Sequence, residues 1–340
     1  MVVLKLIKFI ELNNKFNTKV ILCNIGASIY DILTIDKSNN IESILYTTKN
    51  KMEFPYDNSY FGKTIGRTGG RIKDNTFKLN DKTYFINSKD PNGLHGGIDG
   101  LSFKEFDIEE NNNDEYREII FKYLSKDLES GYPGNLELKV IYRLYENINK
   151  LTVRYIGQSD KDTLLNLSNH AYFNLSGNAK ADILNQELYI NSSKMEEIKN
   201  LIPVGIVDCK EIYSFKHMHK IGKYLMDKEI INNTNGYDFP YIFDNNNIDI
   251  DNICLYDDNS KRILKVRTSY PAVVIYTCNY TGDELMNNNK IMKPYNAICL
   301  ECMFLPNSIN SSFLNDKKDI LRKENIYDET IEYYFEVKND

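Results

Sequence analysis

The strongest constraint on the fold is a strand-like alternation of apolar and polar residues that recurs along the chain. Every second residue is apolar from 136 to 144, and the pattern resumes over residues 151–155 after the polar stretch ENINK. Alternation with period two places one side of a β-strand against a core, and a short polar break between two such runs predicts a β-hairpin. Residues 76–86 and 253–266 repeat the pattern, so we expect hairpins there as well.

Helical periodicity is scarce in this sequence. Only residues 210–232 show helix-like spacing, and that signal is weak. Regularly spaced strands with few helices favour an all-β sandwich or barrel over alternating βαβ units. There is no Pro/Ser-rich linker and no internal repeat, so residues 1–340 are predicted to form a single large β-sandwich domain, although the length leaves room for two.

The charge and hydropathy of the chain argue against two classes of partner. The formal net charge is -6, and no basic stripe interrupts this acidic balance. Nucleic-acid binding depends on clustered Lys and Arg, so we expect no nucleic-acid partner. No apolar run approaches the roughly 18 to 20 residues that a membrane span needs, so we expect no membrane insertion.

The N-terminal sequence and the cysteines favour a cytoplasmic location. Lys5, Lys8 and Glu11 interrupt the apolar start MVVLKLIKFIEL, which argues for a first β-strand rather than a signal peptide. The six cysteines lack the spacing of a disulfide framework, so we expect free thiols in a reducing compartment. We therefore predict a cytoplasmic protein and leave its oligomeric state open between a monomer and a weak dimer.

Two residue pairs have spacing that metal sites also use. Cys299 and Cys302 are spaced as C-x-x-C, but no second pair follows, and residues three apart face opposite sides of a strand. His217 and His219 share one side of an extended segment, but no third ligand is evident. Neither pair predicts a metal site.

A polar side on an otherwise apolar strand marks the first candidate site. The sequence LLNLSNHAYFNLSG (164–177) predicts a strand, and one side of that strand is apolar except for Asn169. Hydrogen-bonding side chains are costly to bury unless something polar fills the space before them, so the pattern favours a pocket for a polar ligand. The polar side of the strand carries Asn166, Ser168, His170, Tyr172 and Asn174.

A second strand, within residues 296–308, places a carboxylate among apolar residues. Ile298, Leu300 and Cys302 form one side, and Glu301 stands on the other between Cys299 and Met303. Burial penalises the charged form of a carboxylate, so Glu301 is either paired with Lys or Arg or held for chemistry. Together with His170 it forms a pair of proton-transfer groups, which predicts general acid–base catalysis.

These residues lie in a series of segments by which the chain resembles the aldose 1-epimerases, or galactose mutarotases. The resemblance implies a large twisted β-sandwich with little helix and with a sugar cleft on one sheet. It runs in order through GRTGGRI (66–72), NGLHGGIDGLSFKEF (92–106), SGYPGNLELKVIYRL (130–144), NLSNHAYFNLSG (166–177), LIPVGIV (201–207), NGYDFPY (235–241), PAVVIYTCN (271–279) and CLECMFLPNSIN (299–310).

The resemblance implies a role for each of six residues. His170 matches the general acid and Glu301 the general base, while the positions that contact the sugar match Arg71, His95, Tyr172 and Asp238. The implied reaction interconverts the α and β anomers of a small aldose through ring opening. It needs no cofactor and no metal. Ordinary pKa values near 4.3 for Glu and 6.5 for His suit both roles if Asp238 or Glu301 supports the imidazolium.

Three departures from the family pattern surround the predicted sugar site. Gly70 stands where the family usually has Asn, Val274 where a Gln contacts the sugar, and Met303 where a Gln follows the catalytic Glu. Each lost amide removes a hydroxyl contact and weakens affinity. The resemblance therefore supports catalysis more strongly than a preference for galactose, and glucose is an equal candidate.

Two alternatives to a free-hexose epimerase follow from the same segments. A hexose 6-phosphate 1-epimerase would need further cationic residues beside Arg71. A catalytically inactive carbohydrate-binding or scaffold protein would explain the changes at Gly70, Val274 and Met303. Retention of both an acid and a base argues against inactivity, since binding alone does not need them.

Overall fold

Strands are the main regular secondary structure of this computed structural model, which describes residues 6–338. In the first half they are β1 Phe9–Asn13, β2 Lys19–Cys23, β3 Ser28–Ile35, β4 Ile41–Ser43, β5 Thr64–Ile65, β6 Arg71–Ile72, β7 Thr76–Leu79, β8 Lys82–Phe85, β9 Gly93–Leu94, β10 Asp107–Asn112, β11 Tyr116–Ser125, β12 Leu136–Tyr145, β13 Lys150–Ser159, β14 Thr163–Leu164, β15 Ser168–Asn169 and β16 Tyr172–Phe173.

The second half adds the remaining strands and two short helices. The strands are β17 Glu187–Ile190, β18 Lys194–Lys199, β19 Ile202–Asp208, β20 His219–Lys220, β21 Asp238–Ile242, β22 Ile253–Tyr256, β23 Arg262–Thr268, β24 Ala272–Tyr276, β25 Ile298–Met303, β26 Ile320–Leu321 and β27 Tyr327–Val337. The helices are α1 Gly222–Leu225 and α2 Lys228–Thr234. Neither helix, nor any other in residues 6–338, is long and apolar enough to span a membrane.

Two large antiparallel sheets dominate the described residues. The nine-stranded sheet has the order β10-β11-β12-β13-β27-β23-β22-β17-β20, and the six-stranded sheet has the order β16-β25-β24-β21-β18-β19. Strands β1 to β4 form a further four-stranded sheet. This architecture confirms the all-β prediction with little helix.

The main core lies between the two large sheets. Alternate residues of β12, such as Val140 and Tyr142, are buried in the same cluster as Ile275 of β24 and Leu300 of β25. The ring of Phe173 in β16 lies 5.4 Å from that of Tyr333 in the facing sheet. Period-two patterning therefore buries one side of each sheet and leaves the other side of the six-stranded sheet available for a site.

The predicted hairpins and the helical region are confirmed. Strands β12 and β13 pair with Leu144 opposite Leu151, and β22 pairs with β23. Strands β7 and β8 are joined by Asn80 and Asp81, whose φ values of 48° and 61° are those of a two-residue turn with both residues left-handed. Both helices lie in or at the edge of residues 210–232. All six cysteines are free thiols, as predicted.

The N-terminal strand prediction can be followed only in part. Residues 1–5 lie outside the described residues, and the first described strand is β1, which begins at Phe9. It pairs with β2 along its whole length, with Phe9 opposite Cys23.

The prediction of one continuous strand over residues 164–177 is wrong. The segment forms three two-residue strands with different partners: β14 pairs with β26, β15 with β5 and β16 with β25. Two of its polar side chains bond to surrounding backbone: Asn166 Nδ2 donates to the Phe304 carbonyl at 2.9 Å, and Asn174 Nδ2 donates to the Ala181 carbonyl at 2.7 Å. These bonds let the chain change partners within a few residues, and His170 lies at one of the breaks, between β15 and β16.

Glu196 of β18 is a buried carboxyl group whose loss of hydration is not offset by hydrogen bonds within residues 6–338. Its side chain is fully buried, and neither carboxylate oxygen has a hydrogen-bond partner among the described residues. Burial raises its pKa well above the usual value for Glu. Because the unfolded chain exposes this group to water, its burial opposes folding.

We expect Glu196→Leu to increase the free energy of unfolding by about 1 to 3 kcal/mol at neutral pH. The folded-state pKa is raised, so the penalty grows as pH rises above the ordinary Glu pKa, where only the unfolded state ionises. Denaturant unfolding at about pH 5 and about pH 8 should therefore show a larger gain at the higher pH. The neighbouring exposed Glu197→Leu is the control, and an equal gain in both variants would contradict this account.

Candidate active site

A cleft lies on the side of the six-stranded sheet that faces away from the core. Its volume is about 310 Å³, at the small end of the range for ligand pockets. All six residues that the resemblance assigned to substrate line it: Arg71, His95, His170, Tyr172, Asp238 and Glu301. The structure therefore brings together residues that are up to 230 positions apart in the sequence (301 minus 71).

Strand register positions the acidic groups on the cleft floor. Glu301 of β25 lies opposite Val274 of β24, which lies opposite Pro240 of β21. In the next row, Tyr276 of β24 pairs with Asp238 of β21. Residues opposite one another share a side of the sheet, so both carboxylates project into the same cleft.

The second wall of the cleft comes from a pair of short strands. Arg71 of β6 is paired with Leu94 of β9, and His95 follows directly. The His95 amide donates to the Gly70 carbonyl at 2.9 Å, and the Gly70 amide donates to His95 Nδ1 at 3.2 Å. These reciprocal bonds fix the imidazole beside Arg71. A Cβ at the following Gly96 would lie 1.8 Å from the Gly66 carbonyl oxygen, so this tight loop requires glycine.

His170 and Glu301 form a buried pair at the end of the cleft. His170 Nε2 lies 3.4 Å from Glu301 Oε1, and the side chains are only 5% and 3% exposed. The predicted alternative of a partner Lys or Arg is not what the described residues show, since the ion-pairing group beside Glu301 is the imidazole. Glu301 Oε2 has no hydrogen-bond partner within residues 6–338 and is left to accept one.

Burial sets the protonation of the pair. It lowers the pKa of His170 to about 4 and raises the pKa of Glu301 well above its usual value. The Asp238 charge raises the pKa of Glu301 further, and Arg71 opposes this. Burial therefore favours the uncharged forms, contrary to the expected support of an imidazolium. Near neutral pH the coupled pair holds one labile proton between Nε2 and the carboxylate.

The groups facing this pair also depart from their ordinary pKa values. Burial raises the pKa of Asp238 to about 6, and Arg71 counteracts it. Burial and the neighbouring His170 and Arg71 hold the pKa of His95 well below its usual value, so His95 is neutral. Arg71 Nε lies 3.8 Å from Asp90 Oδ2 and makes no hydrogen bond, which leaves this donor available to a ligand.

Aromatic rings enclose His170 and limit the access of water. Its ring centroid lies 5.1 Å from that of Tyr172, 6.0 Å from that of Tyr60 and 6.3 Å from that of Tyr276. Tyr172 is held in place because its hydroxyl donates to the Ser59 carbonyl at 2.9 Å. Tyr60 and Tyr276 were not among the sequence candidates. Tyr276 lies two residues after Val274 in β24, and this spacing could have placed it on the same side of the sheet.

Three of the buried groups also have the spacing of a metal site. One ligand atom each of His95, His170 and Glu301 lie within 4.8 Å of one another. A histidine that ligates a metal normally donates its other ring N–H to an acceptor. His95 Nδ1 instead accepts the Gly70 amide, so its neutral ring carries the proton on Nε2. Nδ1 is thus occupied and Nε2 protonated, and this donor set does not fit a metal ion.

The two residue pairs with metal-like spacing lie elsewhere. Both ring nitrogens of His219 lie 2.9 Å from a backbone carbonyl oxygen, Nδ1 from that of Lys220 and Nε2 from that of Ser214. Cys302 belongs to the core side of β25, whereas Cys299 faces the opposite side. Neither pair lines the cleft.

Apolar packing occupies the three positions that depart from the family pattern. A Cβ at Gly70 would lie 2.8 Å from Pro306 Cβ, and φ at Gly70 is +70°, so the position is closed to other residues. Val274 and Met303 form a small cluster with Ile65, and Tyr60 packs against it. This part of the cleft is apolar, and the polar contacts concentrate around the His170–Glu301 pair.

Comparison with known sequences identifies the family of this chain. The profile of the aldose 1-epimerase family matches residues 8–334. The chain belongs to the aldose 1-epimerase family. A galactose mutarotase from Homo sapiens is 31% identical over 283 residues, which cover 82% of this chain and 79% of that protein. An aldose 1-epimerase from Haemophilus influenzae is 30% identical over 264 residues, or 76% and 75% of the two chains.

Solved structures of aldose 1-epimerase relatives have the same fold. A galactose 1-epimerase from Lactobacillus acidophilus matches with a TM-score of 0.86 at 25% identity, covering 98% of this chain and 95% of the other. An aldose epimerase homologue from C. elegans matches with a TM-score of 0.88 at 24% identity, covering 98% and 100%. The predicted family and the predicted sandwich are both confirmed.

Because the proton on His95 Nε2 opposes coordination, we expect metal removal to leave this protein unaffected. Dialysis against a chelator should change neither its mutarotation rate nor its thermal unfolding midpoint. Binding of Co²⁺ within the cleft, detected as a tetrahedral absorption band that His95→Asn abolishes and His219→Asn does not, would contradict the tautomer assignment.

Proposed function

We propose that this protein is an aldose 1-epimerase that interconverts the α and β anomers of a free hexose, with His170 and Glu301 as its proton carriers. The observation that carries the proposal is the buried contact of 3.4 Å between His170 Nε2 and Glu301 Oε1 in a cleft of monosaccharide size. The named relatives support the activity, since they include mutarotases and aldose 1-epimerases over most of the chain.

The reaction uses one proton at each of two oxygens of the sugar. Glu301 takes the proton of the C1 hydroxyl, while His170 gives its Nε2 proton to the ring oxygen, and the C1–O5 bond breaks. The resulting aldehyde turns about the C1–C2 bond. The C5 hydroxyl then attacks the other side of C1, His170 recovers its proton, and Glu301 returns its own to the former aldehyde oxygen.

This scheme requires the pair to hold one proton throughout. The proton is on His170 in the closed-ring complex and on Glu301 in the open-chain complex. Burial favours the second state, whereas the charge of Arg71 lowers the pKa of Glu301 and favours the first. Burial is the larger of these effects, so Arg71 reduces but does not remove the preference for the second state.

The remaining cleft residues supply the sugar contacts in this proposal. Arg71 Nε and the protonated His95 Nε2 are donors to sugar oxygens, and Asp238 is an acceptor. Tyr172 presents its ring beside His170. The side chains of Val274 and Pro240 line the cleft and carry no polar group, so they make no hydrogen bond that could distinguish one sugar hydroxyl from another. We therefore expect glucose and galactose both to be accepted.

A phosphorylated hexose is a weaker candidate substrate. Among the cleft-lining residues in the described part of the chain, the one cationic side chain is that of Arg71, and it already faces Asp90. A phosphate would have to compete for this single cation. A single-domain organisation and a cytoplasmic location remain predictions from the sequence, as does a monomer or weak dimer.

We expect this protein to accelerate the mutarotation of freshly dissolved α-D-glucose and α-D-galactose, followed by polarimetry. Glu301→Gln and His170→Asn should each lower kcat/KM by about 10² to 10⁴, the usual contribution of a general acid or base. His219→Asn and Glu197→Gln, which alter the same residue types outside the cleft, should retain the wild-type rate.

The same assay separates the alternatives. Acceleration of α-D-glucose 6-phosphate with no effect on the free hexoses would assign the phosphorylated substrate. No effect on any of the three sugars, combined with saturable sugar binding by calorimetry, would leave an inactive carbohydrate-binding protein as the better account.

The pKa of Asp238 generates a separate prediction for the pH profile. Its carboxylate form predominates only above about pH 6, so kcat/KM should fall as pH drops through this value. In Asp238→Asn the fall of kcat/KM near pH 6 should be absent. The fall at about pH 4, where the His170 ring binds its second proton, should remain. An unchanged inflection near pH 6 in Asp238→Asn would assign it to another group.

A further inference from the structure

The second ring nitrogen of His170 faces a buried thiol. Cys299 Sγ lies 3.5 Å from His170 Nδ1, within hydrogen-bonding distance for sulfur, and Cys299 is fully buried. Burial raises the pKa of this thiol well above its usual value, with a further contribution from the Glu301 charge, so Cys299 stays a neutral S–H group. The resemblance assigned no role to this residue.

One strand supplies the partners of both ring nitrogens. Cys299 and Glu301 are two residues apart in β25, so they project from the same side of the sheet. Glu301 faces Nε2 and Cys299 faces Nδ1. The imidazole therefore lies along this side of β25 with each nitrogen beside a different chemical group.

The reaction requires the two nitrogens to behave differently. Nε2 must give up and recover a proton in each cycle, which is possible only if Nδ1 keeps its proton throughout. Protonated Nδ1 needs an acceptor, and a thiol sulfur is a weak, uncharged one. A carboxylate in this place would stabilise the imidazolium and hold the proton on the ring.

We propose that Cys299 is a positioning residue whose sulfur accepts the Nδ1–H of His170 and leaves Nε2 as the nitrogen that exchanges protons with Glu301 and substrate. In the resting protein the neutral ring is then the Nδ1–H tautomer, and the Glu301 carboxyl donates its proton to Nε2. The assignment of catalysis to Nε2 rests on the proposed function, whereas the resting tautomer does not.

Other groups around the ring are compatible with this arrangement. The carbonyl of His170 itself raises the pKa of the ring, as an additional acceptor would. No charged Lys or Arg within the described residues is paired with the imidazole. The titratable side chains that face it are Glu301 and Cys299 of β25, His95 after β9, Tyr60, Tyr172 of β16 and Tyr276 of β24.

The test begins with the resting tautomer, which needs no activity. Nitrogen NMR of ¹⁵N-histidine-labelled protein should show His170 as the Nδ1–H tautomer, its signals being those lost in His170→Asn. In Cys299→Ala the share of this tautomer should fall, because only Glu301 at Nε2 and the His170 carbonyl then favour it, whereas Cys299→Ser should retain it because a hydroxyl also accepts. Cys302→Ala, which removes a buried thiol from the opposite side of β25, is the matched control.

Kinetics then test the consequence for the reaction. Cys299→Ala should lower kcat about five- to tenfold with little change in KM, since the thiol does not touch the sugar. Cys299→Asp should move the low-pH fall of kcat/KM upward from about 4, because a carboxylate acceptor raises the pKa of His170.

Three results would overturn the inference. They are an Nε2–H tautomer in the wild type, an unchanged tautomer and kcat in Cys299→Ala, and an equal loss of kcat in Cys302→Ala. If the wild-type protein turns over no sugar, the proposed function fails, but the NMR comparison still decides the role of Cys299 as a partner of His170.

Discussion

The structure depends on keeping an imidazole and a carboxyl group in contact where water cannot separate them. His170 and Glu301 meet in a buried position, and each alone would be costly there. Between them one proton satisfies both, since it can lie on either side of the contact. The same burial that makes the pair expensive prevents solvent from fixing the proton on one partner. A site of this kind needs a scaffold that excludes water and holds both groups without other charges at bonding distance.

The sandwich provides that scaffold through two different kinds of positioning. Glu301 comes from the regular strand β25, where it lies opposite Val274 of β24 and between the core-facing residues Leu300 and Cys302, and this leaves the carboxylate little freedom. His170 comes from a break between two very short strands, where backbone bonds to Lys63 and Gly62 hold the chain. Lys63 is itself buried and ion-paired to Asp57 at 3.0 Å. Regular and irregular backbone thus converge on one contact, and the irregular part is held by buried polar bonds that a flexible loop would lack.

In the proposed function, specificity and catalysis occupy different parts of the cleft. The polar groups concentrate around the proton carriers, with Arg71 and His95 on the opposite wall. Val274 and Met303 stand where the family pattern has amide side chains. They pack together in one apolar cluster and offer no hydrogen bond to a sugar hydroxyl. Loss of such contacts lowers affinity and discrimination but leaves the proton transfer untouched. Under this proposal, the chain keeps the two residues that match the acid and base of the aldose 1-epimerase family while it departs from the family pattern around the sugar.

The amino-acid sequence by itself determined the strand content and the hairpins, because period-two patterning and short turn signals are local properties. Arg71, His95, Tyr172 and Asp238 were identified only through the resemblance of their segments to the family. The sequence also indicated that Glu301 and His170 stand apart from the core. Only the tertiary structure decided that residues 164–177 are broken into three strands, that Glu301 pairs with His170 instead of a cation, and that burial favours the neutral forms. The contact between the Cys299 thiol and His170 Nδ1 could not be predicted from the sequence either. These facts depend on which segments of the chain pass within a few ångströms of one another. The pKa values and tautomers follow from those neighbours, and sequence periodicity does not encode them.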